Sequence, residues 1–276
     1  MTDRERNDPI PDISPTDGSR KALQLLGIPF LVSLVWMIEM VLLAGRSRVF
    51  LFPEPAAVLS YTLIGCILTG MILPVLVIRR SFGSRAVTMH QIGFRSPRRA
   101  GLFLALTAAA CFLYLHAAVP GTGLLPLAGI VLLYLPTGIA SVMICWVLAG
   151  THLQALVRAG GALVSISTGV VITAILFALT TFVSLPVSTS SAGAAVPIMI
   201  GGIAALFFFA VRDVYATSVL VTTGLVSLTT GMTDPAALSP AFPSVAAAAA
   251  LAAASLVLIH AWLLRKYETV VVVRDT

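Results

Sequence analysis

The sequence predicts an all-α, polytopic integral membrane protein of about eight transmembrane helices, and three observations predict it. The first is composition: 58% of the 276 residues are hydrophobic and 10% are charged, with a mean hydropathy of +1.02 that lies outside the range of soluble domains. The second is patterning. Apolar runs near the roughly 20 residues that cross a bilayer as a helix recur along the chain, and none alternates as a barrel strand would. Backbone groups facing lipid must then bond within their own segment, which leaves helices. The third is the placement of charge, which depends on where the spans fall.

The predicted spans are 23–44, 56–78, 100–119, 124–149, 162–185, 194–211, 214–231 and 243–264. Residues 1–22, MTDRERNDPIPDISPTDGSRKA, hold almost no apolar content and read as a disordered cytoplasmic tail. They lack the apolar stretch and cleavage site of a signal peptide, so span one serves as the insertion signal and stays. Arg79 to Arg99, RRSFGSRAVTMHQIGFRSPRR, carries six arginines and no acidic residue. It reads as a loop against lipid headgroups, with a partner-binding loop as the alternative. Turn-rich linkers are expected near 186–195 and 233–244, and the last span contains SVAAAAALAAAS, whose small side chains permit close helix approach. The transmembrane domain thus covers 23–264, with a cytoplasmic C-terminal tail at 265–276 and neither an internal repeat nor a soluble domain.

With eight spans, both termini and the even-numbered connections share one side. That side holds 15 of the 17 Lys and Arg residues; only Arg46 and Arg48 fall on the other. The asymmetry predicts cytoplasmic termini and a multi-pass protein of the cell (plasma) membrane. The net charge of +6 is what insertion and anionic headgroups select for, so no nucleic-acid partner is implied.

Ionisable groups inside spans are costly and mark function when present. Glu39, in LVWMIEMVLL, is the one acid well inside a span, and it reads as a bundle-interior hydrogen-bonding group, with proton carriage as the alternative. Arg212 and Asp213, at the junction of spans six and seven, read as a solvated ion pair. His90, His116, His152 and His260 lack HExxH or any equivalent ligand spacing, and Cys66, Cys111 and Cys145 lie inside spans as small hydrophobes with no CxxC. Neither a GxSxG elbow nor a glycine-rich phosphate loop is present. No metal and no cofactor is expected. Spans five and seven are rich in hydroxyls, among them Ser165, Thr173, Thr180, Thr181, Thr217, Thr222 and Ser227. In membranes such groups mostly bond to their own preceding turn or to a neighbour; a polar conduit or a lipid pocket is the alternative.

The order of features resembles one family, the CAAX-type intramembrane endopeptidases, also called the CPBP or Abi family. Members carry E-E-x-x-x-R, commonly continued as F-R-G, then F-x-x-x-H on the next helix and H-x-x-x-N or D on a later one. Here Ile144-Cys145-Trp146-Val147-Leu148-Ala149-Gly150 takes the place of the first motif, and Phe177-Ala-Leu-Thr-Thr181 takes that of the second. The two Glu positions become Ile144 and Cys145, the Arg becomes Ala149, and the His becomes Thr181 while Phe177 is kept. The last His would fall near Val221 or Thr222, with its partner near Leu225 or Val226. With IGFRSPRR ahead of span three, the resemblance covers about 90–230 and implies a CAAX-protease-like helical core.

The resemblance implies a site whose first Glu activates water for attack on a peptide bond. General-base catalysis needs a side chain that can take a proton near working pH, and Ile144, Ala149 and Val221 have none. Cys145 needs an activating base, and His152 stands seven residues on, about 10 Å along a continuous helix. The catalytic residues are therefore expected to be none, and the former site to be dry, collapsed or filled by lipid. The expectation is a proteolytically inactive relative that binds membrane lipids or another membrane protein as scaffold or chaperone. Two alternatives stay open: a membrane subunit or permease of a transport complex, and an active endopeptidase with unconventional residues.

Overall fold

The computed structural model describes residues 15–44, 48–83, 91–94, 96–119, 123–185, 191–229 and 235–272. Among them every regular element is helical. The long helices in chain order are α1 (Pro15–Ala44), α3 (55–83), α4 (Pro97–Ala118), α5 (Leu124–Leu156), α6 (Ala162–Ser184), α7 (Ser191–Val211), α8 (Val214–Thr229) and α9 (Pro235–Val272), with a single short turn, α2 (Arg48–Leu51), between α1 and α3. Six of them, α1, α3, α4, α5, α6 and α9, are long and apolar enough to cross a membrane. The chain is an all-helical, membrane-embedded, multi-pass protein. The other two expected spans are occupied by shorter apolar helices, Ala195–Val211 and Val214–Thr229.

Several ends differ from the sequence reading. The first helix begins at Pro15, so 15–22 is helical rather than a disordered tail, while 1–14 lies outside the described residues. The last helix begins at Pro235, inside the expected 233–244 linker, and runs on to Val272, inside the expected C-terminal tail. In the same way α7 starts at Ser191, within the linker expected near 186–195. Prolines explain two of these starts: at the first helical position the missing N–H would have had no helical partner, and the fixed φ suits the helix.

The bundle is organised around α5, of whose most apolar stretch 78% is buried, against 17% for α4. It packs on α3, α6, α8 and α9, and its middle also meets α1. In lipid the apolar side chains gain little by leaving one hydrocarbon medium for another, so close approach of backbones decides which helices pair. Glycines mark the approaches. A Cβ at Gly138 of α5 would overlap the Thr222 hydroxyl of α8, and one at Gly201 of α7 would lie 3.0 Å from the Ala174 carbonyl of α6. Leucines such as Leu42, Leu113, Leu163 and Leu258 point outward, as a lipid-facing surface requires.

Two of the helices are not α-helical throughout. In α3, Pro55–Ser60 and Leu73–Gly83 flank a π-helical Tyr61–Ile72; in α5, Leu124–Ser141 and Thr151–Leu156 flank a π-helical Val142–Gly150. The i→i+5 register is seen where the Leu73 N–H reaches the Leu68 carbonyl and the Thr151 N–H reaches that of Trp146. The two widened stretches touch each other and both pack against α1.

Candidate functional site

The π-helical stretch of α5 holds Ile144, Cys145 and Ala149, the positions singled out in the sequence. An i→i+5 register is uncommon and tends to occur at functional sites. Its effect here is on alignment. Residues five apart on an α-helix diverge by about 140° at 3.6 residues per turn, whereas the wider turn brings Ile144 and Ala149 toward one face. All the residues from Val142 to Leu148 are 0% exposed, and Ala149 is 1% exposed.

Around this stretch the neighbouring helix supplies Phe177 and Thr180. The Phe177 ring lies 5.4 Å from that of Trp146, tilted by 39°, and the Thr180 hydroxyl shares a hydrogen bond with the Cys145 thiol. The hydroxyl brought to Cys145 is thus Thr180, one residue before the expected Thr181, which donates to the Phe177 carbonyl at 2.8 Å. Thr180 gives its own proton to the Leu176 carbonyl. A neutral hydroxyl is in any case too weak a base to take the Cys145 proton. Val221, Thr222, Leu225 and Val226 are buried in α8, with Thr222 against Gly138. None of the side chains described at these positions is a carboxylate, a histidine or a cation. The Trp146 indole N–H is a polar orphan in this core, buried without an acceptor; such a donor costs about 1–3 kcal/mol of desolvation.

No family model, curated protein or solved structure matches this chain.

The other sequence candidates separate. Glu39, on α1, accepts from the Thr69 hydroxyl of α3, one turn along from the Trp36 indole N–H that donates to the Gly65 carbonyl at 2.9 Å. Interior hydrogen bonding describes it. The histidines stand apart: His90 lies outside the described residues, His116 stacks on Phe112, His260 shares a 2.8 Å hydrogen bond with the Tyr215 hydroxyl, and His152 bridges the Leu148 carbonyl through Nδ1 and Ser81 Oγ through Nε2, each at 2.7 Å. Among the described residues no three His, Cys, Asp or Glu side chains gather where they could hold a metal ion.

Arg212 and Asp213 overturn the expectation of a solvated pair. Asp213 is 0% exposed, and its Oδ1 accepts the Ala216 N–H in the first turn of α8; a carboxylate there suits the helix dipole. Arg212 turns the chain with φ of +54° and sends its guanidinium to the Gln91 carbonyl at 2.8 Å and the Gln154 Oε1 at 2.6 Å. The segment 91–94, read from sequence as part of a headgroup loop, is packed under this turn. Ile92 is 0% exposed, the Gly93 carbonyl accepts the Val214 N–H, and Gly93 holds φ of +82° with Phe208 where a Cβ would be.

The hydroxyls of α6 and α8 are turned inward on their own backbones. Thr173, Thr181 and Ser184 in α6, and Thr217, Ser218, Thr222, Thr223, Ser227 and Thr229 in α8, each donate to the carbonyl four residues earlier. A conduit would need those protons facing its lumen. Sequence reasoning missed a lateral cleft of about 570 Å³ between α4, α7 and α8, lined by Cys111, Tyr114, Met199, Ile203, Leu220 and Gly224 among others. Its size falls in the range of small-molecule sites. Only the assembled helices reveal it, because its walls are as apolar as the rest of the spans.

Proposed function

We propose that this protein is a proteolytically inactive relative of the CAAX-type intramembrane endopeptidases that binds a membrane lipid, holding its hydrocarbon chain in the lateral cleft between α4, α7 and α8. The observation that carries the reading is the solid packing of Val142 to Ala149. A peptide bond and an attacking water need room and polar partners, and this stretch offers neither. The cleft, by contrast, is open, apolar and bordered by the half-exposed Tyr114, Met199 and Ile203. In this reading all eight long helices cross the membrane, with both termini on the cytoplasmic side where the basic residues gather.

The test is made on the purified full-length protein in mild detergent. Mass spectrometry of the retained lipids is expected to find one lipid class enriched over the bulk membrane, and Ala110→Trp, which fills the cleft from its α4 wall, is expected to lose that enrichment. Prenylated and transmembrane peptides should remain uncut. Cleavage that disappears in Cys145→Ser or His152→Gln would overturn the inactive reading, and lipid retention indifferent to Ala110→Trp would overturn the cleft.

A further inference from the structure

A second cavity, of about 270 Å³, lies at the end of the bundle where the basic residues gather, and it is lined by Gln91, Gln154, Arg158, Gly161, Ala162, Ser165, Ile166 and Arg212. We propose that this cavity is an anion-binding site that takes a phosphate group. It stands apart from the lateral cleft and does not depend on it.

Three acceptors at the cavity wall are already engaged: the Gln91 carbonyl and the Gln154 Oε1 by Arg212, and the Gln154 carbonyl by the Ser165 hydroxyl at 3.1 Å. Because Oε1 must be the oxygen that faces Arg212, the other amide atom of Gln154 is the N–H donor. That Nε2 has no partner among the described residues, and Gln154 is only 4% exposed. A buried donor of this kind is rare and calls for a ligand or water.

The remaining groups present the same sign. Arg158 reaches the cavity from the turn after α5, Arg212, held by Gln91 and Gln154, adds its positive charge at the wall, and no carboxylate is among the described lining residues. The neighbouring Asp213 turns its Oδ1 to the α8 N-terminus. Gly161 and Ala162 begin α6, a helix of 23 residues whose N-cap has no side-chain hydrogen bond. Its first-turn N–H groups have no helical acceptor and carry the positive end of the dipole. Gly161 holds φ of +90° with nothing within 4 Å of where a Cβ would be, so the backbone is bare where an oxygen would approach. Two guanidinium groups, an amide N–H and a helix N-terminus suit a tetrahedral oxyanion. The apolar Ile166 on the wall and the exposed Leu163 beside it make a lipid phosphate one source and free phosphate the other.

The experiment uses the full chain in an uncharged detergent with three probes: inorganic phosphate, short-chain phosphatidic acid and short-chain phosphatidylcholine. Binding is read by calorimetry for phosphate and by native mass spectrometry for the lipids. Phosphatidic acid is expected to bind about tenfold or more tightly than phosphatidylcholine, and Arg158→Gln to remove about tenfold of that affinity, the value of one hydrogen bond to a charged group. Gln154→Leu should do the same; Arg158, being exposed, keeps the test valid if that variant does not fold. Competition by inorganic phosphate would place recognition in the phosphate alone, and phosphate binding without lipid preference would identify a free anion. Equal binding of both lipids with no phosphate binding, or affinities unchanged in Arg158→Gln, would overturn the site.

Discussion

Ile144 and Gln154 stand on one helix, α5, and live under opposite conditions. Around Ile144 the side chains are apolar, and the nearby hydroxyls of Thr180 and Thr181 spend their protons on their own backbones. Around Gln154 the groups are polar, two cations reach in, and one amide donor is left open. The difference shows what a membrane interior tolerates. Where the chain is apolar but for the Trp146 indole N–H, the helices close to full burial even in a widened π turn. Where the helix reaches the charged end, polar side chains are kept and arranged to face one sign of charge.

The sharpest way to break this contrast is to introduce a carboxylate into the apolar stretch. Ile144→Glu buries an acid in a stretch, Val142 to Gly150, that holds no cation and only one unengaged donor, the Trp146 indole N–H. An unpaired buried charge costs about 3–5 kcal/mol, so the variant is expected to lose most of its monodisperse fraction on gel filtration after mild heating. Wild-type behaviour would mean that the region around Ile144 is wet. The next largest effect is steric. Gly138→Ala places a methyl against Thr222, and overpacking of this kind costs about 1–3 kcal/mol. Thr222→Ala in the same chain should restore part of it, a coupling that thermal unfolding of the single and double variants measures.

The apolar helices were legible because hydropathy carries them. Each long helix lies where an apolar run predicts one, although α1 and α9 extend into segments that composition read as tails. The π register was not legible. Val142 to Ala149 is apolar all round, so no periodicity exists to distinguish 3.6 residues per turn from a wider helix. The polar end was hidden for another reason. Arg212 meets Gln154 and Gln91 across 58 and 121 residues of chain, and its left-handed backbone is a property of the α7–α8 turn. Reading Arg212 and Asp213 as a solvated pair followed from their adjacency, which says nothing of what folds over them.

Glu39 gives the smallest effect and the finest test, because it lies between the two extremes: inside a span, partly buried, and bonded to one hydroxyl. If its role is to tie α1 to α3, Glu39→Gln keeps an oxygen to accept from Thr69 and should shift stability by no more than about 0.6 kcal/mol, the average for an interhelical hydrogen bond in a membrane. Thr69 also has the Ile64 carbonyl at 2.8 Å as an acceptor, so even Glu39→Leu leaves that hydroxyl satisfied. A carrier of protons behaves differently: the amide cannot take up and release a proton, so any ion-coupled flux through reconstituted protein would vanish in Glu39→Gln while the melting curve stayed in place. Unchanged melting without any flux in the parent protein assigns Glu39 to the packing of the bundle. Flux that is lost with that substitution would make the interior beside α3 a path for protons, and the dryness argued for Ile144 would then end one helix away from it.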